Sequence, residues 1–264
     1  MKHILDKNDI TLNAKLKTSY YEWAVGVSRF FLKLICLWPE DTHGTRRFME
    51  NLFINTLVVL FTCCATIPSI MFVYIQEEFM ATVDNFVYPF TLSTITWKVF
   101  IFHRNRDAFL PILNMMAEDW AKPRTDEETS VMFHYANIDR IVNMCGFAVV
   151  SFSVLCEDLL PILGVRFRYA SPPIDVFPLP SYYACDVYHS PYFEIIYVGQ
   201  VILLWFLLLG YCSVDMGFGM VVFHICGQVK NFRIRIAREK EFENFKHTLT
   251  AIVTDHVRLS RYFV

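Results

Sequence analysis

Apolar residues are gathered along this chain into long, nearly uncharged runs. The first run contains 24 consecutive uncharged residues, and a helix that crosses the apolar core of a bilayer needs about 20. Three later runs are interrupted by few charges. Two of them are of similar length, and the last is longer and would project beyond the membrane. The pattern therefore predicts four transmembrane helices: 52–75, 79–102, 141–165 and 191–227.

Lysine and arginine are distributed unevenly among the segments that join these runs. Segments 1–47, 103–137 and 228–264 carry eight, four and eight of them, whereas 76–78 carries none and 166–190 carries two. Basic residues accumulate in the cytoplasmic segments of membrane proteins. We therefore predict that the chain starts in the cytoplasm, that 228–264 is cytoplasmic and that 166–190 is an extracellular loop.

Composition agrees with a membrane protein and excludes a soluble globular enzyme. Hydrophobic residues make up 55% and charged residues 19% of the chain, with a mean hydropathy of +0.35, whereas soluble domains average about 45–50% and about 25%. No basic run is interleaved with aromatic residues, so no nucleic-acid partner is expected. The predicted fold class is all-α: a polytopic helical membrane bundle forming one domain over residues 1–264.

Two segments outside the spans also have helical patterns. In 20–38 an apolar face opposes charged residues, and it is left open whether that face lies in the membrane interface, packs against the bundle, or does both. The face consists of Trp23, Val27, Phe30, Phe31, Leu34 and Trp38. Further along, Thr125 and Glu128 have the spacing of a capping box, which predicts the start of the helix that leads into the third span.

The predicted extracellular loop is rich in proline and too long for a simple turn. Loops of about 25 residues often act as lids or binding segments, although a plain connector is the alternative. Cys156 and Cys185 are the cysteines that could meet on the extracellular side. Both a disulfide and two free thiols are left open.

The sequence lacks the patterns that catalysis requires. Its histidines and cysteines have no metal-ligand spacing, and there is no glycine-rich phosphate loop or nucleophile elbow. Glu157 and Asp158 are adjacent, so their side chains are expected on different faces of the helix rather than as a catalytic pair. We therefore expect no enzyme activity, metal or cofactor. Asp215 is either a buried charge paired across helices or a solvated residue beyond the inner interface.

Four stretches share one recognisable pattern, which covers essentially the whole chain. They are YYEWAVGVSRFFLKLICLWP at 20–39, LPSYYACDVYHSPYFEIIYVGQ at 179–200, VDMGFGMVVFHICGQ at 214–228 and IVTDHVRLSRYFV at 252–264. In this order, with a cytoplasmic N-terminus, they resemble the insect odorant receptor family, especially its hymenopteran branch.

The resemblance implies a seven-helix, multi-pass subunit of a ligand-gated cation channel in the plasma membrane of olfactory sensory neurons. In that family the receptor pairs with a shared odorant receptor co-receptor in a hetero-tetramer, and a small volatile odorant opens a pore lined by the seventh helix. Membrane lipid surrounds the bundle. Because four of the seven expected helices are present here, we expect a fragment or truncated product that does not conduct alone.

The resemblance also implies a ligand pocket in the outer half of the helices. Mapped onto the second, third and fourth spans, the pocket is mostly apolar and aromatic with a few hydroxyls and one amide, which suits a small apolar ligand. Ordinary helix packing is the alternative for each residue. The candidate ligand-binding residues are Val87, Tyr88, Thr91, Leu92, Val149, Phe152, Ser153, Cys156, Tyr192, Ile196, Tyr197 and Gln200.

Two other functions are left open by the sequence. One is a gustatory-type chemoreceptor that senses water-soluble tastants. The other is a non-conducting four-helix membrane scaffold or regulatory protein. A transcript that continues in frame and encodes three further spans would favour the channel over the scaffold.

Overall fold

The computed structural model describes residues 19–39, 44–75, 79–160, 162–163, 177–184, 186–239 and 253. Within these ranges the regular structure is helical and no strand occurs, so the prediction of an all-helical fold is confirmed. Seven α-helices lie in the described residues: α1 at 19–34, α2 at Thr45–Phe61, α3 at Ile67–Tyr74, α4 at Phe79–Arg104, α5 at Arg106–Ala121, α6 at Asp126–Leu159 and α7 at Tyr192–Glu239. A π-helical turn at Thr62–Thr66 joins α2 to α3.

Three of the described helices are long and apolar enough to cross a membrane, judged by length and composition. They are α2 together with α3 (Thr45–Tyr74), α6, and α7 as far as Ala237. The helix α4 carries Asp84 and Lys98 and is not among them. Four crossings and a cytoplasmic N-terminus therefore stay predictions. The helix α7 has 48 residues, which at 1.5 Å each is roughly 70 Å, more than twice the apolar core of a bilayer.

The start of α6 has the predicted capping box. The backbone N–H of Glu128 donates to Thr125 Oγ1, and the backbone N–H of Thr125 donates to Glu128 Oε2, each over 3.4 Å. These bonds satisfy amide groups that the first turn of a helix leaves without partners. The acidic residues of that turn also complement the positive end of the helix dipole.

The chain divides into two units. The first takes the described parts of 1–31, 106–144 and 215–264, and the second takes those of 32–105 and 145–214. In the first unit Ala24, Trp120 and Met132 form a buried cluster, and the ring of Phe133 meets that of Trp120 edge-on at 5.5 Å. Tyr21 packs at the edge of this cluster, where burial raises the pKa of its phenol.

Polar side chains also join the helices of the first unit. His224 Nε2 and Asp119 Oδ2 lie 3.3 Å apart, and each side chain is 3% exposed. Arg235 Nε donates to Glu128 Oε1 over 2.9 Å, and Asn231 Nδ2 donates to the backbone carbonyl of Glu128 over 3.1 Å. These contacts link α7 to α5 and to the first turn of α6.

The predicted face of α1 is only partly buried. Phe31 and Trp38 are 7% and 8% exposed, and the Trp23 ring lies 5.4 Å from that of Phe133, whereas Phe30 and Leu34 are 61% and 51% exposed. The residues that α1 and the turn after it bury are Ala24, Val25, Ser28, Phe31, Leu32 and Ile35. Small residues at 24 and 28 let another element approach closely, which the bulky side chains would prevent. The interfacial position of the exposed face stays a prediction.

Asp215 of α7 is exposed. The alternative in which it is a buried charge is therefore wrong. Its neighbours Val214 and Met216 are both buried, at 0% and 2% exposed. Asp215 therefore lies on the exposed face of α7, and the residues on either side of it face the protein.

The core of the second unit is apolar. Its centre is formed by Phe61 and Ala65, next to and within the π-helical turn, with Leu92 of α4 and Leu207 of α7. Leu179, from the loop before α7, joins the same cluster. The loop is therefore part of the core of this unit.

Candidate ligand-binding site

The twelve candidate residues lie in the second unit and divide between two environments. One half is exposed on the outer faces of the helices: Val87, Thr91, Val149, Phe152, Ser153 and Tyr192. The other half is buried or half-buried against other parts of the unit: Tyr88, Leu92, Cys156, Ile196, Tyr197 and Gln200. The geometry below is built from the second half.

Gln200 fastens the loop before α7 to that helix. Its Oε1 accepts the backbone N–H of Leu179 over 3.0 Å, and its Nε2 donates to Tyr183 Oη over 3.0 Å and to Ser181 Oγ over 3.2 Å. The side chain is 3% exposed. Gln200 was predicted to contact a ligand through its amide. All three bonds of that amide instead go to residues 179–183, so it anchors the loop.

The same loop is fastened on its other side to α3. Ser69 Oγ donates to the carbonyl of Pro180 over 2.9 Å, and the backbone N–H of Tyr182 donates to the carbonyl of Pro68 over 3.0 Å. Ser69 and Ser181 are both 0% exposed. The described part of the loop is thus hydrogen-bonded to two helices, and its role as a lid or binding segment stays a prediction.

Aromatic rings fill the space between this loop and the start of α7. Phe177 is 1% exposed and forms a cluster with Val187 and Tyr197. The Phe177 ring lies 5.3 Å from that of Phe193, which lies 5.8 Å from that of Tyr197. Ring pairs at these separations contribute about 0.5–1.5 kcal/mol each to stability, beyond the effect of the area they bury. These contacts therefore stabilise the packing of Phe177 against the start of α7.

Two carboxylates at the end of α6 meet aromatic donors from α4 and α7. Trp205 Nε1 donates to Asp158 Oδ2 over 2.9 Å, and Tyr88 Oη donates to Glu157 Oε1 over 3.3 Å. The hydroxyl of Tyr197 donates to the backbone carbonyl of Asp158. We call these five residues the acidic–aromatic cluster. It brings together two of the candidate residues, Tyr88 and Tyr197.

Asp158 is the most enclosed member of the acidic–aromatic cluster. The residue is 5% exposed, and its Oδ1 is buried with no hydrogen-bond partner among the residues that the structure describes. Burying a polar oxygen without a partner costs free energy. Asp158 Oδ1 therefore needs a hydrogen-bond donor to offset this cost.

Sequence reasoning missed Glu157, Asp158 and Trp205. The two acids do point to different faces, as expected, because one bonds to α4 and the other to α7. Both faces, however, are lined with aromatic donors. The available signal was a pair of acids inside an apolar helix, together with Tyr197 and Trp205 at a spacing of two helical turns, which places them on one face of α7.

The groups around the acidic–aromatic cluster can be compared with those that bind metals. Among the described residues no group of three or more His, Cys, Asp or Glu side chains is arranged to hold a metal ion. Cys156 is a free thiol, and Cys185 lies outside the described residues. Aromatic faces, hydroxyls and two carboxylates are the groups that line the region.

Comparison with known proteins gives a family and a fold. A family model described as 7tm Odorant receptor matches residues 78–263. The insect olfactory receptor OR5 from Machilis hrabei, in complex with eugenol, has a similar structure, with a TM-score of 0.72 and 16% identity over 92% of this chain and 64% of that one. A second structure of the same receptor gives a TM-score of 0.65 and 15% identity over 90% of this chain and 62% of that one. No curated protein matches the chain.

At these identities the likeness to solved structures shows the fold, and it confirms the helical membrane bundle. The chain spans less than two thirds of the length of the matched receptor. Members of the matched family are receptors rather than enzymes. Because the family model covers well over half of the residues, the chain belongs to the odorant receptor family.

Proposed function

We propose that the chain is the odorant-binding part of an odorant receptor subunit in the plasma membrane. The subunit assembles with an odorant receptor co-receptor into a heteromeric ligand-gated cation channel. The observation that carries the proposal is the acidic–aromatic cluster beneath a loop anchored by Gln200, in a chain of this family.

The ligand in this proposal is a small organic molecule. Small-molecule sites are mostly apolar and aromatic, with a few polar groups that fix orientation. Tyr88 and Trp205 are half-buried, so each presents part of its ring beside the carboxylates. The solved receptor with the similar fold is a complex with eugenol, and eugenol is therefore the first ligand to test.

A binding measurement on the purified chain in lipid nanodiscs tests the ligand part. We expect eugenol or another small volatile compound to quench tryptophan fluorescence saturably, with empty nanodiscs as the blank. Tyr88→Ala should weaken binding at least about tenfold because it removes a ring from the cluster. Tyr74→Ala is the matched control, because Tyr74 is 84% exposed and its replacement should leave affinity unchanged.

Two outcomes would overturn this part of the proposal. One is the absence of saturable binding by any volatile compound. The other is binding that Tyr88→Ala and Tyr74→Ala weaken equally, which would place the ligand elsewhere. Binding of water-soluble tastants in place of volatile compounds would favour the gustatory-type receptor.

The channel part is tested by expressing the receptor gene with the co-receptor in oocytes. We expect an odorant-evoked cation current that the co-receptor alone does not give, and recovery of both proteins in one complex. A complex that forms without any evoked current would overturn the channel and favour the regulatory scaffold.

A further inference from the structure

We propose that the ligand of the acidic–aromatic cluster is a small organic amine, bound through its N–H groups to Asp158. The inference rests on the proposed function and names the ligand class of the same site. It is carried by the geometry around one carboxylate and by the rings that surround it.

Asp158 has one oxygen in use and one available. Oδ2 accepts the Trp205 indole N–H over 2.9 Å, and the backbone carbonyl of Asp158 accepts the Tyr197 hydroxyl. Oδ1 has no partner among the described residues, although it is buried. The side chain is thus held through Oδ2 and the main chain through its carbonyl, which leaves Oδ1 as the acceptor for an external donor.

The position of the Asp158 carboxylate gives it an unfavourable desolvation free energy, which argues against a purely structural role. Asp158 lies at the penultimate residue of an apolar helix long enough to cross a membrane. Ionisable groups within such helices are costly and usually have a partner or a functional task. A single indole N–H is a weak counterpart for a carboxylate, whereas a ligand amine would supply both a donor and a charge.

The neighbouring groups suit a cation. Tyr88 and Trp205 each donate to one of the two carboxylates, and Tyr197 donates to the backbone carbonyl of Asp158, so three aromatic residues lie next to residues 157 and 158. Aromatic faces attract ammonium groups, and the attraction grows when water is excluded. Glu157 adds a second negative charge one residue away. A neutral alcohol would satisfy one lone pair of Asp158 Oδ1, but it would bring no positive charge to the carboxylate.

Matched ligands separate the amine from neutral compounds of the same shape. The titrations use 2-phenylethylamine, 2-phenylethanol and propylbenzene with the wild-type chain in nanodiscs, and empty nanodiscs correct for partition into lipid. We expect the amine to bind at least about tenfold more tightly than either neutral compound, because charge-assisted hydrogen bonds are roughly twice as strong as neutral ones. Asp158→Asn keeps an oxygen for the Trp205 N–H and should abolish this preference.

Asp84→Asn is the matched control, because Asp84 is an exposed carboxylate on α4 of the same unit and its replacement should leave the preference intact. Equal binding of the amine and the neutral compounds by the wild-type chain would overturn the amine while leaving an odorant receptor. Binding of none of the compounds, with no response to other volatiles, would overturn the proposed function as well. The wild-type comparison decides the matter even where Asp158→Asn fails to fold.

Discussion

The ion pair between Arg235 and Glu128 gives the sharpest test of how the first unit is held together. Arg235 reaches from the last turns of α7 to the first turn of α6, where its Nε and a terminal nitrogen each donate to one oxygen of Glu128, over 2.9 and 3.3 Å. Glu128 also closes the capping box with Thr125. Replacement of Arg235 by methionine would remove both of these bonds from a buried carboxylate.

The size of the effect follows from exposure. The Glu128 side chain is 5% exposed and that of Arg235 is 30% exposed. Loss of one partner from a fully buried pair costs about 3–5 kcal/mol, while an exposed pair contributes about 0–1 kcal/mol. We therefore expect Arg235→Met to lower the free energy of unfolding by about 2 kcal/mol. At roughly 2–4 °C for each kcal/mol in a chain of this size, the melting temperature falls by about 4–8 °C.

Thermal unfolding in detergent, followed by tryptophan fluorescence, measures this shift. Glu128→Gln preserves the capping box, because glutamine also serves at that position, so the double variant with Arg235→Met should lose less stability than the sum of the two single variants. Arg233→Met is the control, since Arg233 is exposed on the same helix. Additive losses in the double variant, or an equal loss in Arg233→Met, would refute the role given to the pair.

Two further predictions concern the second unit. A Cβ at Gly210 would lie 2.9 Å from Val99 Cγ2, so Gly210→Ala should lower the melting temperature by the equivalent of about 1–3 kcal/mol. Adding Val99→Ala to this variant should restore the melting temperature. Gly199 has open space around it, so Gly199→Ala should not lower the melting temperature. Gln200→Leu should expose the loop to limited proteolysis by removing three hydrogen bonds, whereas Tyr183→Phe removes one of them and should have about a third of the effect. Unchanged cleavage of Gln200→Leu would show that the bonds to α3 and the aromatic contacts hold the loop without Gln200.

The helical fold could be predicted because local patterns determine it. Long apolar runs leave helices as the solution in lipid, since backbone groups must be satisfied within the segment. The start of α6 was also predictable, because a capping box depends on Thr125 and Glu128 alone. Neither prediction required knowledge of which residues meet across the chain.

The packing face of α1 could be predicted only in part. The helical pattern of bulky residues indicated Phe31, which is buried, but it also indicated Phe30, which is exposed, and it did not indicate Ser28. Ser28 is 1% exposed and its hydroxyl donates to the backbone carbonyl of Met216 over 3.0 Å. A single serine that bonds to a distant backbone atom has no signature in hydrophobic periodicity.

The acidic–aromatic cluster was missed for the same reason. Its members come from α4, α6 and α7 and are separated by up to 117 positions, so only the tertiary structure brings them together. Adjacent acids were set aside because they cannot act as one pair. The structure shows instead that each acid has its own aromatic donor.

The attachment of the outer loop to α3 consists largely of main-chain atoms. The carbonyls of Pro68 and Pro180 accept the bonds, and one of the two donors is the backbone N–H of Tyr182. Such bonds are indifferent to side-chain identity at the loop positions themselves. Tyr182 could therefore be replaced by other residues with a backbone N–H without loss of the attachment to α3, whereas Ser181 and Tyr183 also bond to Gln200 through their side chains and are less free to vary.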